Sequence, residues 1–174
     1  MAGNVLVLAE HWRGQLSEIT YEVLVLGREL ADALEGRLEA LVLGYGQREI
    51  SRCLGKADAV LCVNHPDLAE PLAETWSEAL YQLVKERQPV AVLIPLTNVT
   101  LAVGTMLAAR MQAPGINFCK DVRVVDGAIE ATCILYGGKM EAKVLTAHRP
   151  AVLGIWPGSR PAELGRATEA PPVE

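Results

Sequence analysis

Two hydrophobic periods alternate along the first two thirds of this chain. Apolar runs at residues 5–9, 38–43 (broken by Glu39), 59–63 and 90–94 predict strands, and the unbroken first run is what a strand covered on both faces of a parallel sheet requires. Between them, Ile19, Val23, Leu26, Leu30 and Leu34 recur at helical spacing, as do Leu68, Leu72, Trp76, Leu80 and Leu83. Each series puts one apolar stripe on a helix. Ser17 is placed to cap the first of these helices and Gly36 to stop it in a left-handed conformation. Asp67 and Glu70 form a D-x-x-E start signal for the second, and Pro71 is tolerated in a first turn that has few donors to lose. A short helix is expected over 47–54, and a fourth helix over 99–112 that ends at Pro114-Gly115.

The pattern changes after Ile116, where no further long helix is signalled. Residues 122–125, 128–135, 140–147 and 151–156 read as strands, and Asp126-Gly127 is a hairpin signal because a type I′ turn needs positive φ at both central residues. Parallel βα units followed by an antiparallel C-terminal extension describe a three-layer α/β domain over residues 1–156. Residues 157–174 are rich in Pro, Gly, Ala and charge without an apolar period, which predicts a flexible tail or linker. There is no internal repeat.

At 174 residues, 51% hydrophobic and 21% charged, the chain suits one globular domain. A net charge of −5 repels phosphate backbones and excludes nucleic acid as a partner. No apolar run is long enough to cross a bilayer, and Met1-Ala2-Gly3-Asn4 leads into a strand rather than a secretory leader, so a cytoplasmic location is expected. Cys53, Cys62, Cys119 and Cys133 have no metal-binding spacing and read as small hydrophobes in a reducing compartment. The three scattered histidines make no metal site.

Candidate chemistry concentrates where an open parallel sheet binds ligands, beyond the carboxyl ends of its strands. Two loops border that crevice, 10–16 after the first strand and 95–100 after the fourth. The second leads into a helix N-terminus, which attracts anions, and Thr97, Asn98 and Thr100 add neutral donors. Asn98 or Thr100 serving as a plain helix cap is the competing reading, and no glycine-rich phosphate loop reinforces the site. Glu10 and His11 bring a carboxylate and an imidazole to the same crevice, but no nucleophile with a supporting base accompanies them. Trp12 on a polar loop reads as a contact residue, and so does the segment Tyr136-Gly137-Gly138, where two glycines allow another chain to approach closely. A tight connection between antiparallel strands explains the two glycines equally well.

Several ordered pieces together carry a family likeness. They are Ala9-Glu10-His11, Gly27-Arg28-Glu29-Leu30-Ala31-Asp32, Asp58 with His65-Pro66, Leu107-Ala108-Ala109-Arg110, Asp126-Gly127, Tyr136-Gly137-Gly138, Arg149-Pro150 and Pro157-Gly158. In this order the chain resembles the N-terminal domain of the alpha subunit of electron transfer flavoproteins. The resemblance implies a Rossmann-like fold of the adenine nucleotide alpha hydrolase-like type. It also implies a beta-like subunit as partner, and FAD held mainly by a second, C-terminal domain that this sequence does not contain. AMP belongs mainly to the beta subunit in that family. Three positions depart from the family pattern. Thr100-Leu101-Ala102 stands where G-R-D is common, Phe118 precedes Cys119 where an aspartate is usual, and Thr132-Cys133-Ile134 replaces T-R-P. Either a flavin-facing polar network has decayed, or a different partner covers it.

The leading expectation is an electron-carrier domain without catalytic residues of its own. It would act through a beta-like subunit and a flavin-bearing domain or redox enzyme, with the flavin on a separate polypeptide or on a segment cut from this one. The alternative is a free-standing module holding AMP or ATP between residues 10–12 and 97–100, as a homodimer. A hydrolase or ligase of the same broad fold ranks last, since fold alone is only an analogy.

Overall fold

A computed structural model describes residues 3–167 and 169–174; Met1 and Ala2 of the leader reading and Thr168 of the tail reading lie outside them. The strands are β1 (Val5–Leu8), β2 (His11–Trp12), β3 (Gln15–Leu16), β4 (Leu38–Gly44), β5 (Ala59–Asn64), β6 (Ala91–Pro95), β7 (Gly115–Val125), β8 (Ala128–Leu135), β9 (Met140–Thr146) and β10 (Ala151–Ile155). The helices are α1 (Glu18–Ala33), α2 (Ala73–Arg87) and α3 (Leu101–Met111). Eight strands form one sheet in the order β5-β4-β1-β6-β10-β7-β8-β9. Pairing is parallel from β5 through to β7 and antiparallel for β7–β8 and β8–β9. This is the expected three-layer parallel sheet with an antiparallel extension, with one rearrangement. The last strand, β10, does not continue the extension. It returns into the parallel core between β6 and β7.

Alternation along β1 and β4 sorts the core into two layers, because successive side chains on a strand point to opposite faces. Val5, Val7, Ala40 and Val42 pack on the side of Leu24, Leu26 and Leu30 of α1. Leu6, Leu8, Leu41 and Leu43 pack on the side of Trp76 and Leu80 of α2 and Leu107 of α3. The Trp76 ring is fully buried and its indole N–H donates to the Leu68 carbonyl at 3.3 Å, so its polar atom costs nothing on burial.

Three local signals are used differently from the sequence expectation. Glu35, not Gly36, takes the left-handed conformation (φ 51°) at the end of α1. Gly36 is required instead because an added Cβ would meet the Gly3 carbonyl oxygen at 2.1 Å. Its N–H bonds the Ala31 carbonyl and that of Glu35 bonds Asp32, which is a Schellman closure. Asp67 and Glu70 do not cap α2; residues Pro66–Leu68 form a separate single turn, and α2 begins at Ala73 behind Leu72. β7 begins at Gly115, seven residues ahead of the expected 122. The register shifts between Cys119 and Asp121 at a bulge next to Phe118, which has φ 61°. A bulge hides the two-residue period from sequence reading. The Asp126-Gly127 turn does have positive φ at both residues (49° and 78°).

Of the segment 157–174, expected as a tail or linker, residues 158–165 and 172–174 contact the domain. The backbone N–H groups of Gly158 and Ser159 donate to the Glu22 carboxylate at 2.6 and 3.0 Å. Arg160 bridges Glu29 of α1 and Asp121 of β7. Residues Ala162–Gly165 form a turn against α1. At the far end, Val60 of β5 exchanges backbone bonds of 2.8 Å with Pro172 and Glu174, which covers that edge of the sheet.

Asp58 ties the start of β4 to α1. Its carboxylate accepts from Arg28 and from the Leu38 N–H, both at 2.8 Å. Burial raises its pKa, but these two donors outweigh that and hold it below the ordinary aspartate value. A depressed folded pKa contributes stability above the unfolded pKa of about 3.9 that is lost as pH falls through the folded one. Chemical unfolding of Asp58→Asn is therefore expected to lose less stability than the parent between about pH 5 and pH 3. Parallel pH dependences of the two proteins would remove Asp58 from the acid response.

Candidate functional site

β1 has β4 on one side and β6 on the other, so the strand order reverses at β1/β6. The loops leaving these two strands meet there, as a topological switch point requires. Glu10 follows β1, and its backbone is locked by Thr20 of α1. The Glu10 N–H donates to the Thr20 hydroxyl at 2.9 Å, and that hydroxyl donates to the Glu10 carbonyl at 2.8 Å. Thr20 is fully buried, so this exchange is shielded from water.

So held, the Glu10 side chain reaches across to the start of α3. Its Oε2 accepts from the Thr97 hydroxyl and lies 3.0 Å from the Thr100 hydroxyl. Thr100 is also within bonding reach of the Pro95 carbonyl. Thr97 is the residue that caps the turn: its hydroxyl accepts from the N–H groups of Val99 (3.1 Å) and Thr100 (3.3 Å). Glu10 is only 5% exposed. The positive end of the α3 dipole and two hydroxyls thus converge on a carboxylate supplied by the chain itself. An incoming phosphate would meet that negative charge in a confined space rather than a set of free donors.

The other candidate residues are placed separately. His11 is buried and turns away from Glu10; its Nε2 lies 2.7 Å from the Leu43 carbonyl and its ring stands 5.7 Å from that of Trp76. Its Nδ1 is buried without a partner. A ring whose one polar contact is a backbone carbonyl is built into the wall, not presented to a substrate. Asn98 is exposed and points into the surface cleft beside Trp12, not into the Glu10 cluster. No group of three or more metal-ligating side chains occurs among the described residues. Cys119 and Cys133 sit opposite each other on β7 and β8 with sulfurs 3.9 Å apart. Burial, and then the neighbouring sulfur, push the Cys119 thiol well above its ordinary pKa, so it is a poor nucleophile.

Two exposed apolar surfaces occupy the rim. Trp12 is 51% exposed on the β2–β3 hairpin, whose turn residues Arg13 and Gly14 both have positive φ. It borders a cleft of about 400 Å³ shared with Leu72, Asn98 and Ala102. The second is a pocket of about 330 Å³ between Phe118, Ile134, Trp156 and the loop Tyr136–Gly138. The Phe118 and Trp156 rings stand 5.6 Å apart, and Tyr136 is 76% exposed. Phe118 and Trp156 were missed as a pair in the sequence because they meet only where β10 returns beside β7. Some of the positions that depart from the family pattern line these surfaces, whereas Thr100 and Cys133 are buried. Ala102 lies in the first cleft, with Leu101 exposed beside it in the chain, and Phe118 and Ile134 lie in the second pocket.

Residues 5–174 match the family model described as Electron transfer flavoprotein domain. The chain is 31% identical over 159 residues to Protein FixB of Clostridium saccharobutylicum, covering 89% of this chain and 48% of that one. It is 30% identical over 160 residues to the electron transfer flavoprotein subunit alpha of Clostridium acetobutylicum, with the same coverage. It is 32% identical over 110 residues to the acryloyl-CoA reductase electron transfer subunit beta of Anaerotignum propionicum, covering 62% of this chain and 30% of that one. The chain spans about half the length of the first two of these relatives.

Replacing Thr100 by Val keeps the shape but strips one hydroxyl from the Glu10 cluster and leaves a carboxylate short of a donor. The expected loss is about 1–3 kcal/mol of stability, read as a lower urea midpoint at unchanged slope. An unchanged midpoint would mean that the cluster contributes nothing to holding the crevice shut.

Proposed function

This chain belongs to the electron transfer flavoprotein domain family, and from that premise we propose that it is an alpha-subunit-type electron-transfer domain that acts through its partners. It associates with a beta-like subunit and with a flavin-bearing domain or redox enzyme, and it supplies shape rather than chemistry. The observation that carries this reading is the Glu10 carboxylate seated on the α3 N-terminus. The residues present do not fit a dinucleotide pyrophosphate: the Thr97 and Thr100 hydroxyls are spent on Glu10, the Val99 and Thr100 N–H groups on Thr97, and no glycine-rich turn lies beside them. FAD therefore belongs to the partner, and the crevice is not the place to look for AMP.

The two apolar rims are the contact surfaces in this reading. Trp12 projects on a rigid two-residue turn, and Trp156 with Phe118 offers a preformed aromatic pocket beside Tyr136, Gly137 and Gly138. Large aromatic side chains held in place before binding lose little freedom on docking and anchor interfaces. Apolar replacements at Leu101, Ala102 and Phe118 favour a partner that covers these positions with apolar groups, since an unpaired buried charge costs more than a packed methyl. No helix among the described residues is long and apolar enough to cross a membrane. We place the domain in the cytoplasm, where its free thiols remain reduced.

Co-expression with a beta-like subunit and the flavin-bearing polypeptide is expected to yield one yellow complex by size exclusion with absorbance detection. Trp156→Ala is expected to weaken that complex about tenfold or more while leaving the far-ultraviolet circular dichroism unchanged. Absence of any complex with the beta-like subunit, or an affinity indifferent to Trp12→Ala and Trp156→Ala alike, would contradict the reading.

A further inference from the structure

The two edges of the main sheet are treated differently. The β5 edge is covered by the chain's own residues 172–174 through three backbone bonds. The opposite edge, β9, is seven residues long, and its only strand neighbour among the described residues is β8 on the inner side. A long open edge offers a row of unpaired N–H and C=O groups to another strand. Side chains on both faces of β9 remain accessible, with Met140 56% and Leu145 60% exposed and Val144 open as well.

The sequence of this strand, Met-Glu-Ala-Lys-Val-Leu-Thr, is self-complementary about Ala142. In an antiparallel pair centred there, Glu141 of one copy faces Lys143 of the other, and Lys143 faces Glu141. On the second face Met140 meets Val144, and Ala142 meets its own counterpart. Opposite charges directly across an antiparallel pair stabilise it, and like charges oppose it. Centring on Glu141 or on Lys143 would instead set identical charges face to face. The apolar face is the one that continues Leu135, Cys133 and Ala131 of β8 outward past the core. In the single chain both side chains turn inward over the sheet, Glu141 to Lys120 of β7 and Lys143 to Glu130 of β8 at 3.5 Å, so pairing across the axis exchanges these contacts for intermolecular ones.

We infer that β9 is a docking edge for a second copy of this chain, joining two sheets into one across a two-fold axis through Ala142. Such a contact is isologous and closes on itself, so it forms a dimer and not a fibre. The edge adjoins the Trp156 pocket at Leu135, opposite Met140, but Glu141 and Lys143 line neither rim, so the charge variants test this inference separately from the partner reading above.

Sedimentation equilibrium of the chain alone is expected to show reversible association from 18.7 kDa to twice that mass. Glu141→Lys and Lys143→Glu each turn both cross-strand pairs into like-charge pairs and are expected to weaken the dimer about tenfold or more. The combined Glu141→Lys/Lys143→Glu exchange restores opposite charges across the axis and is expected to recover dimerisation, even though it worsens the pairs with Lys120 and Glu130 inside one chain. Circular dichroism confirms that each variant is folded. In a Cys53→Ser background, Ala142→Cys is expected to form a disulfide-linked dimer with diamide, because directly opposed residues lie about 4.5–5.5 Å apart between Cα atoms. A wild-type mass of 18.7 kDa at every concentration would overturn the inference. So would a dimer that both single variants leave intact and Ala142→Cys does not trap. Engagement of β9 by a beta-like subunit alone, with no self-association, would overturn it too.

Discussion

One carboxylate decides what the rest of this domain is free to do. Glu10 leaves β1 at the point where the strand order reverses, is fixed to α1 by its exchange with Thr20, and closes onto the first turn of α3 through Thr97 and Thr100. Its negative charge complements the positive end of that helix. The contact therefore joins two helices on opposite faces of the sheet across the strand pair between them. Without it, the β1 and β6 loops would be separate, and the Thr97 and Thr100 hydroxyls would need another acceptor.

In the proposed reading, the same contact moves function from the crevice to the surface. A Rossmann-like sheet ordinarily offers its ligand the helix N-terminus at the switch point. Here that group is satisfied internally, and the accessible features nearby are apolar: Trp12 and Ala102 on one side, Phe118, Trp156 and Tyr136 on the other. An internal acceptor at the crevice and aromatic anchors at the rim are consistent with a domain that other chains close upon. Residues 158–160 are tied to α1 and β7 by two backbone hydrogen bonds to Glu22 and by the Arg160 bridge to Glu29 and Asp121.

Much of this was legible in the sequence, and its limits have physical causes. The strands β1, β4, β5 and β6 announce themselves because both faces are covered, which leaves near-continuous apolar runs. Residues Glu10, Thr97 and Thr100 were identified as neighbours because the switch-point rule fixes which loops must meet. That the carboxylate would fill the anion site rather than line it depends on a buried exchange with Thr20, ten residues away, and no local pattern reports such a contact. His11 and Asn98 share the crevice loops but not the cluster, since adjacent residues leaving a strand diverge to opposite sides. The β10 insertion and the Phe118–Trp156 pair depend on long-range pairing and are invisible to periodicity. Residues 158–165 and 172–174 lack a period because they cover the domain by isolated hydrogen bonds and ion pairs instead of a stripe. The Arg13-Gly14 turn was a further missed local signal, since a glycine in a two-residue connection marks a hairpin and would have placed Trp12 on one.

The central claim is that the chain's own carboxylate holds the place a nucleotide phosphate would take. Isothermal titration of the isolated chain with AMP and with FAD tests it most directly. Neither ligand is expected to show saturable binding. Stoichiometric binding of AMP or FAD by the unmodified chain would contradict it.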